Sequence, residues 1–244
     1  LVFGPPSSRR QWLDWGTFHV KHEYLSTLRD YLRAIRQRNG AIRAGDQEAI
    51  GLWGEQAGGL GERVTGMRQA YIDLINIQLS GTLETLSPEL DITLRHEPGW
   101  RGDSLANEMR QHASRDVKLR STQAGPHRAD VRIEIVPKST QTVPQPAAQV
   151  LSRGQGKMVA SAMKLVQAQH LSSAMEQPSL FLIDDAGAEL DEEHRDRFFG
   201  MLRDQNYQIL ATTTDADWLL GAYPITRVGM FHVKHGHIEP TDQQ

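Results

Sequence analysis

The carboxy-terminal half of the chain alternates helical stretches with short, continuous apolar runs. The runs are SLFLI (179–183) and YQILATT (207–213), and each follows a segment with helical spacing, at about 154–174 and 192–204. Strands that are apolar throughout are typical of a parallel sheet that helices cover on both faces. The sequence therefore predicts an α/β fold with a mostly parallel sheet in this part of the chain.

The earlier part of the chain is predominantly helical. The segments 23–44 and 66–80 have apolar side chains at helical spacing, whereas ELDITLR (89–95) alternates as a short strand does. The stretch between the two helical segments is rich in glycine, which weakens an isolated helix. We expect a mainly helical region with one short strand over 1–116, and an α/β region over 117–244.

The letters GQGK (154–157) raise the question of a phosphate-binding loop. Such a loop reads G-x-x-x-x-G-K-[ST], because its successive backbone N–H groups wrap the phosphates and its hydroxyl holds magnesium. Here Leu151 stands where the first glycine is required, and Met158 follows the lysine in place of Ser or Thr. No other segment fits the pattern. We therefore expect the 244-residue chain neither to bind ATP tightly nor to hydrolyse it alone.

A second interpretation of the same stretch is LSRGQ, a loop at the start of a long helix. The N-terminus of a helix has free N–H groups and the positive end of the helix dipole, and both favour a phosphate. Taken alone, a serine at this position indicates an ordinary helix N-cap, and it is the motifs that follow in the chain that favour a phosphate contact. The candidate phosphate-contacting residues are Ser152, Arg153, Gly154 and Gln155.

Acidic and hydroxyl residues follow the two apolar runs. LFLIDD ends in Asp184 and Asp185, and ILATTTD carries Thr212 and Thr213. The carboxyl edge of a parallel sheet is where ligands bind in α/β folds. Asp184 would hold a magnesium ion through its water shell, and Asp185 would orient or deprotonate an attacking water. The alternative is that both carboxylates cap the helix that follows.

Along the chain, the LSRGQ loop is followed by the acidic strand end, then by AELD (188–191) and then by the second strand end. This order matches the head of ABC-type ATPases, in which a loop of the LSRGQ kind is called the signature motif. LSRGQGK, LFLIDDAGAELD and TQAGPHRADV (122–131) together resemble the RecF family of bacterial recombination-mediator ATPases. The resemblance implies an ABC-ATPase-like head that a helical arm interrupts. It also implies that a complete phosphate loop, the Walker A motif, precedes Leu1.

The resemblance assigns roles to the candidate residues. The LSRGQ loop would be the signature motif that seals ATP held by a partner subunit. Asp184 would be the Walker B aspartate and Asp185 the catalytic carboxylate, while Asp191 would lie in the D-loop at the dimer interface. Thr212 or Thr213 falls where many ABC ATPases have a switch histidine, so this sequence departs from the pattern at the γ-phosphate sensor.

The same resemblance implies partners. The intact protein would form an ATP-dependent homodimer around ATP and Mg²⁺ and bind gapped or duplex DNA. It would act in the cytoplasm with a RecR-like mediator in DNA replication, recombinational repair and the SOS response. For DNA, the helix at 23–44 offers a face that we predict to carry Arg29, Arg33, Arg36 and Arg38, and we expect the first three to contact phosphates. A solvated amphipathic face is the alternative.

Two other functions fit parts of the pattern. One is a Rad50-like or overcoming-lysogenization-defect-like ABC head that works with a nuclease, and the other is a non-catalytic module that binds DNA or a partner.

Cysteine is absent, which excludes disulfides and thiolate metal sites, and no run of 18 apolar residues exists to span a membrane. His232, His235 and His237 cannot converge on one metal from a regular strand.

Overall fold

The computed structural model describes residues 1–136, 143–186, 191–205, 207–215 and 228–240. The chain separates into two compact units, Leu1–Gln177 and Pro178–Gln244. The first unit thus extends well beyond the division expected at 116/117. One reason is that β1 (Ile92–Glu97) pairs with β2 (Asp130–Ile135) across that position. As a division between arm and ATPase lobe, 116/117 stays a prediction.

The first unit is built mostly from helices. Its helices are α1 (Pro6–Val20), α2 (Tyr24–Ala44), α3 (Gln47–Leu86), α4 (Leu105–Gln111), α5 (Ala113–Leu119), α6 (Ala147–Val150) and α7 (Arg153–Met175). Its sheet is antiparallel, with the order β1-β2-β3, where β3 is Gln145–Pro146. The strand predicted at 89–95 is therefore present, and it is displaced by a few residues toward its C-terminal end.

The glycine-rich stretch does not break α3, which is one continuous helix of 40 residues. Two of its glycines lie where α4 crosses it. A Cβ at Gly58 would lie 2.5 Å from the Cβ of Ala106, and a Cβ at Gly61 would lie 2.5 Å from Cδ2 of Leu105. The gain from close packing therefore offsets the low helix propensity of glycine. Tyr31 of α2 belongs to the same buried cluster.

Arg38 is not on the exposed face of α2, contrary to the prediction. Its side chain is 1% exposed and pairs with Asp116, Nη1 to Oδ2 at 2.6 Å. A second buried arginine, Arg68 of α3, forms an ion pair with Asp14 of α1 at 2.6 Å and donates to the Pro126 carbonyl oxygen at 2.8 Å. Buried charges require such partners, because an isolated charge in a protein interior is costly.

The second unit contains the parallel strand pair that the sequence predicts. β4 (Leu180–Ile183) runs parallel to β5 (Gln208–Ala211), and α8 (Glu192–Asp204) connects them in sequence. A hairpin of β6 (Phe231–Lys234) and β7 (His237–Pro240) follows, with its turn at His235 and Gly236, both at positive φ. In the described ranges, no helix is long and apolar enough to cross a membrane.

Candidate functional site

The LSRGQ loop leads directly into α7, and Ser152 is the N-cap of that helix. Its Oγ accepts from the Gln155 backbone N–H at 3.2 Å, and Gln155 Oε1 accepts in return from the Ser152 N–H at 3.0 Å. This reciprocal capping box uses two of the amides at the helix start. The amides of Arg153 and Gly154 belong to the first turn, which has no intrahelical acceptor for them. Arg153 itself is exposed.

Gly156 has a packing role that sequence reasoning missed. A Cβ at this position would lie 2.3 Å from Cε2 of the Phe3 ring. The aromatic ring thus lies against the first turn of α7, and no larger residue fits at Gly156 unless Phe3 moves. The start of the helix is therefore in contact with a residue about 150 positions earlier in the chain.

Asp184 and Asp185 directly follow β4 and are joined to the end of β5 through Thr212. The Thr212 hydroxyl donates to Asp184 Oδ1 at 2.6 Å and accepts from the Asp185 N–H at 2.9 Å. Two backbone hydrogen bonds extend the pairing of β4 with β5. The Thr212 N–H donates to the Ile183 carbonyl oxygen at 2.9 Å, and the Ala186 N–H donates to the Thr212 carbonyl oxygen at 2.7 Å. The structure thus brings together three of the predicted site residues.

The acidic pair is oriented by its backbone as well as by Thr212. Asp185 has φ of 53°, the left-handed conformation, which is uncommon for a residue with a side chain. Both carboxylates are exposed. Mg²⁺ keeps several of its waters and is bound in proteins through one or two carboxylates, so Asp184 and Asp185 fit this ion.

The helix-cap alternative for the acidic pair is wrong. The N-cap of α8 is Asp191, whose Oδ1 accepts from the His194 N–H at 2.9 Å and contacts the His194 ring Nδ1 at 2.8 Å. The backbone hydrogen bond from His194 holds the pKa of Asp191 below its usual value. Residues 188–190 of the predicted D-loop lie outside the described residues.

Thr213 does not join the Asp184 cluster. Its hydroxyl donates to the Asp215 carbonyl oxygen at 2.7 Å and accepts from the Asp215 N–H at 3.2 Å. This is a local turn in which the side chain replaces a backbone partner. Of the two threonines predicted to lie near the γ-phosphate, Thr212 is therefore the one in contact with the acidic pair.

Arg29, Arg33 and Arg36 project from the exposed side of α2. Within the described part of the chain, none of the three forms an ion pair with a carboxylate. Arg43, about two turns further along, is exposed as well. We call the four the arginine stripe. Arg38 lies on the opposite, buried side of the helix and does not belong to it.

No family model matches the chain. Curated relatives do match it over nearly its full length. The RecF protein of Stutzerimonas stutzeri is 35% identical over 242 residues, which are 98% of this chain and 64% of the relative. RecF of Pseudomonas paraeruginosa is 34% identical over 99% of this chain and 64% of its own length. RecF of Shewanella baltica is 31% identical over 98% of this chain and 65% of its own length.

The chain is RecF-like. It spans just under two thirds of the length of these relatives. Among solved structures, a RecF recombination mediator described with ATP has a TM-score of 0.79 at 20% identity, over 98% of this chain and 64% of that one. The Smc head domain of Pyrococcus furiosus has a TM-score of 0.53 at 12% identity, over 98% of this chain and 58% of that one. The predicted fold class, part of an ABC-ATPase-like head with a helical arm, is confirmed. Of the mostly parallel sheet that was predicted, the described residues contain one parallel pair, β4 and β5, and the other two sheets are antiparallel.

His127, in the GPHRAD segment that carries part of the RecF likeness, has a structural role. Tyr31 Oη donates to His127 Nδ1 at 2.6 Å, and the His127 Nε2–H donates to the Thr122 carbonyl oxygen at 3.1 Å. This arrangement requires the neutral imidazole, and burial lowers the pKa of His127 accordingly. The ring therefore fixes the segment onto α2. Its neighbour Arg128 is exposed.

Proposed function

We propose that the chain is the signature-motif and Walker B part of a RecF-like ATPase that acts in DNA replication and recombinational repair. The observation that carries the proposal is the arrangement of Asp184, Thr212 and Asp185 at adjacent strand ends. It presents two exposed carboxylates at the end of a parallel strand, an arrangement that suits a magnesium-dependent hydrolase. The relatives and the confirmed fold class support the same activity.

In this proposal each acidic residue has one role. Asp184, aligned by the Thr212 hydroxyl, would hold Mg²⁺, and the ion would supply positive charge that offsets the charge of the phosphates. Asp185 faces the attacking water and accepts its proton. Thr212 takes the place of the switch histidine of other ABC ATPases. Its role in this proposal is to position both aspartates.

The signature loop acts on nucleotide held by a second subunit. The first-turn amides of α7 and the exposed Arg153 guanidinium supply hydrogen-bond donors and positive charge, which suit a terminal phosphate. The Ser152–Gln155 capping box keeps that turn ordered in the absence of nucleotide. ATP is supported as the nucleotide by the solved RecF described with it. Closure of two such sites would make the protein an ATP-dependent homodimer.

The proposed partners are gapped or duplex DNA and a RecR-like mediator. The solved relative is described as a recombination mediator protein of the RecFOR pathway, which supports this assignment. On this chain the arginine stripe is the surface that we assign to DNA phosphates, since its guanidinium groups are exposed and free of carboxylate partners in the described residues. The reaction takes place in the cytoplasm, where the recombinase is loaded.

A chimera tests the proposal, with residues 1–244 joined behind the N-terminal third of Stutzerimonas stutzeri RecF. Asp185→Asn should lower the rate of DNA-stimulated ATP hydrolysis on the order of 100-fold, because it removes the proton acceptor. Asp196→Asn, which neutralises an exposed carboxylate on α8, is the matched control and should leave the rate unchanged. Equal rates for both variants would refute the catalytic assignment and favour a non-catalytic binding module.

A further inference from the structure

Two arginines of the first unit, Arg10 of α1 and Arg128, meet at the same residue, Ala129. Arg10 Nη1 donates to the Ala129 carbonyl oxygen at 2.8 Å, and Arg128 precedes Ala129 at the end of a short 3₁₀ helix, Pro126–Arg128. The pKa of His127 is lowered chiefly by burial and also by the charges of Arg128 and Arg10. Both guanidinium groups therefore lie near this imidazole. We call the two residues the arginine pair, and none of the roles above uses them.

The charge of the arginine pair is not balanced by carboxylates. Asp130 is next in the chain, but it accepts from Nε and Nη2 of Arg9 at 2.7 and 2.8 Å. Asp14 and Asp116 form the ion pairs of the two buried arginines described above. Among the residues that the structure describes, neither member of the arginine pair has an ion-pair partner. Two positive charges are thus left for an anion from outside the chain.

Both members of the arginine pair can be reached from solvent. Arg128 is exposed. Arg10 is half-buried, and its Nε and Nη2 have no acceptor in the described ranges, yet neither atom is enclosed by the protein. Guanidinium groups carry several N–H donors in a planar fork, which matches the oxygens of a phosphate. The arginine pair therefore offers accessible donors as well as charge.

The backbone that carries Arg128 is fixed by contacts to other segments. The Gly125 N–H donates to the Gly99 carbonyl oxygen at 2.9 Å, and Arg68 donates to the Pro126 carbonyl oxygen at 2.8 Å. Gly99 has φ of 78°, and a Cβ there would lie 2.5 Å from the Gly125 carbonyl oxygen, so this close approach requires glycine. A side chain on a rigid base loses less conformational freedom when it binds a ligand.

We propose that Arg10 and Arg128 together bind a phosphate group of the DNA backbone. The phosphate supplies the negative charge that the arginine pair lacks, and its oxygens accept from the free guanidinium N–H groups. The inference rests on the proposed function, in which DNA is the partner that presents phosphates. Because backbone contacts position DNA without reading its bases, we expect this contact to be independent of DNA sequence.

The arginine pair is a surface separate from the arginine stripe. Tyr31 of α2 is buried and hydrogen-bonded to His127, next to the arginine pair, at 2.6 Å. The arginine stripe lies on the exposed side of the same helix, away from Tyr31. A substitution in one surface therefore leaves the other intact, and the two can be tested independently.

The first test is the salt dependence of duplex DNA binding by the 244-residue chain. Replacing Arg10 and Arg128 together by Gln should weaken binding on the order of 10-fold at about 50 mM salt. The slope of log affinity against log salt should become shallower by about 1, as expected for one lost phosphate contact. Arg63→Gln with Arg110→Gln is the matched control, because it removes the same charge from two exposed arginines that have exposed glutamate partners. The control should keep the parent slope.

Two further variants separate contact with DNA from folding. Arg128→Gln alone removes a side chain for which the described residues hold no hydrogen-bond partner, so it should lower the slope and leave the stability of the fold unchanged. Lys at both positions keeps the charge and should restore most of the slope. If the parent, the Gln variants and the control have equal slopes, the arginine pair makes no phosphate contact. A parent chain that does not bind duplex DNA at all would contradict the proposed DNA partner as well.

A second test distinguishes DNA from a free anion. Phenylglyoxal modifies accessible arginines, and the modified positions can be identified by mass spectrometry. Saturating duplex DNA should protect Arg10 and Arg128, whereas inorganic phosphate or ATP at the same phosphate concentration should not. Equal protection by inorganic phosphate or ATP would indicate a site for a small anion and would overturn the assignment to DNA.

Discussion

The most quantitative prediction concerns His96, a buried histidine of β1. Its side chain is 7% exposed, and its Nε2 has no partner within the described ranges. The pKa of His96 is lowered from 6.5 to about 4, chiefly by burial and also by the charge of Arg68, while Asp73 acts in the opposite direction. The folded protein therefore keeps this imidazole neutral at pH values where the unfolded chain protonates it.

The sign and size of the effect follow from proton linkage. Because the unfolded state binds the proton more tightly, the free energy of unfolding falls as the pH decreases below 6.5, and the loss levels off near pH 4. Each pH unit in this window removes about 1.4 kcal/mol, which gives about 3 kcal/mol in total. Between pH 7 and pH 5 the expected loss from His96 is about 2 kcal/mol.

The assay is urea unfolding at pH 7 and pH 5, followed by tryptophan fluorescence. Four of the five tryptophans, Trp12, Trp15, Trp53 and Trp100, lie in the first unit and report on it. His96→Phe removes the titrating group, so its loss of stability between the two pH values should be smaller by about 2 kcal/mol. His232→Gln, on the exposed hairpin, is the control and should behave as the parent chain does. The same loss in all three proteins would refute the reasoning.

Two further predictions concern the proposed function. Thr212→Val keeps the shape of the side chain but removes the hydroxyl that contacts Asp184 and the Asp185 N–H, so hydrogen exchange at the Asp185 amide should accelerate. Thr213→Val, whose hydroxyl contacts Asp215 among the described residues, should not have this effect. Unchanged exchange in Thr212→Val would contradict the positioning role. In the chimera, replacing Arg33 and Arg36 together by Gln should weaken DNA binding at low salt, and the difference from the parent should shrink as salt rises. Replacement of the paired Arg110 and Arg203 by Gln is the control, and an equal loss there would exclude a specific role for the arginine stripe.

The elements that sequence predicted well are those determined by local pattern. The runs at 179–183 and 207–213 contain the parallel strands β4 and β5, because continuous apolar residues between helices favour that arrangement. The same pattern predicts that the acidic residues after β4 lie at the carboxyl edge of the parallel strands, where the structure has them. Their contact with Thr212 depends on the register of Ile183 against Ala211, which no local pattern reveals.

The elements that sequence missed depend on contacts between distant segments. The glycines of α3 indicated a weak helix, but at Gly58 and Gly61 they accommodate α4, which lies more than 40 residues later. Arg38 was assigned to the exposed face because of its charge. Its position seven residues after the buried Tyr31 placed it on the core side of α2, and that signal was present in the sequence. Its partner Asp116 was not predictable, since 78 residues separate the two.

In the proposed function, the signature loop acts on nucleotide held by a different subunit. The most direct measurement is ATP hydrolysis by a mixture of two inactive chimeras. One carries Ser152→Arg, which blocks the start of α7, and the other lacks the phosphate-loop lysine of the grafted segment. If the loop acts across the dimer, mixing the two restores activity, because one site of the mixed dimer then has an intact phosphate loop and an intact signature motif. If the loop acts within its own subunit, the mixture stays as inactive as each variant alone, which would contradict a nucleotide site shared between two subunits.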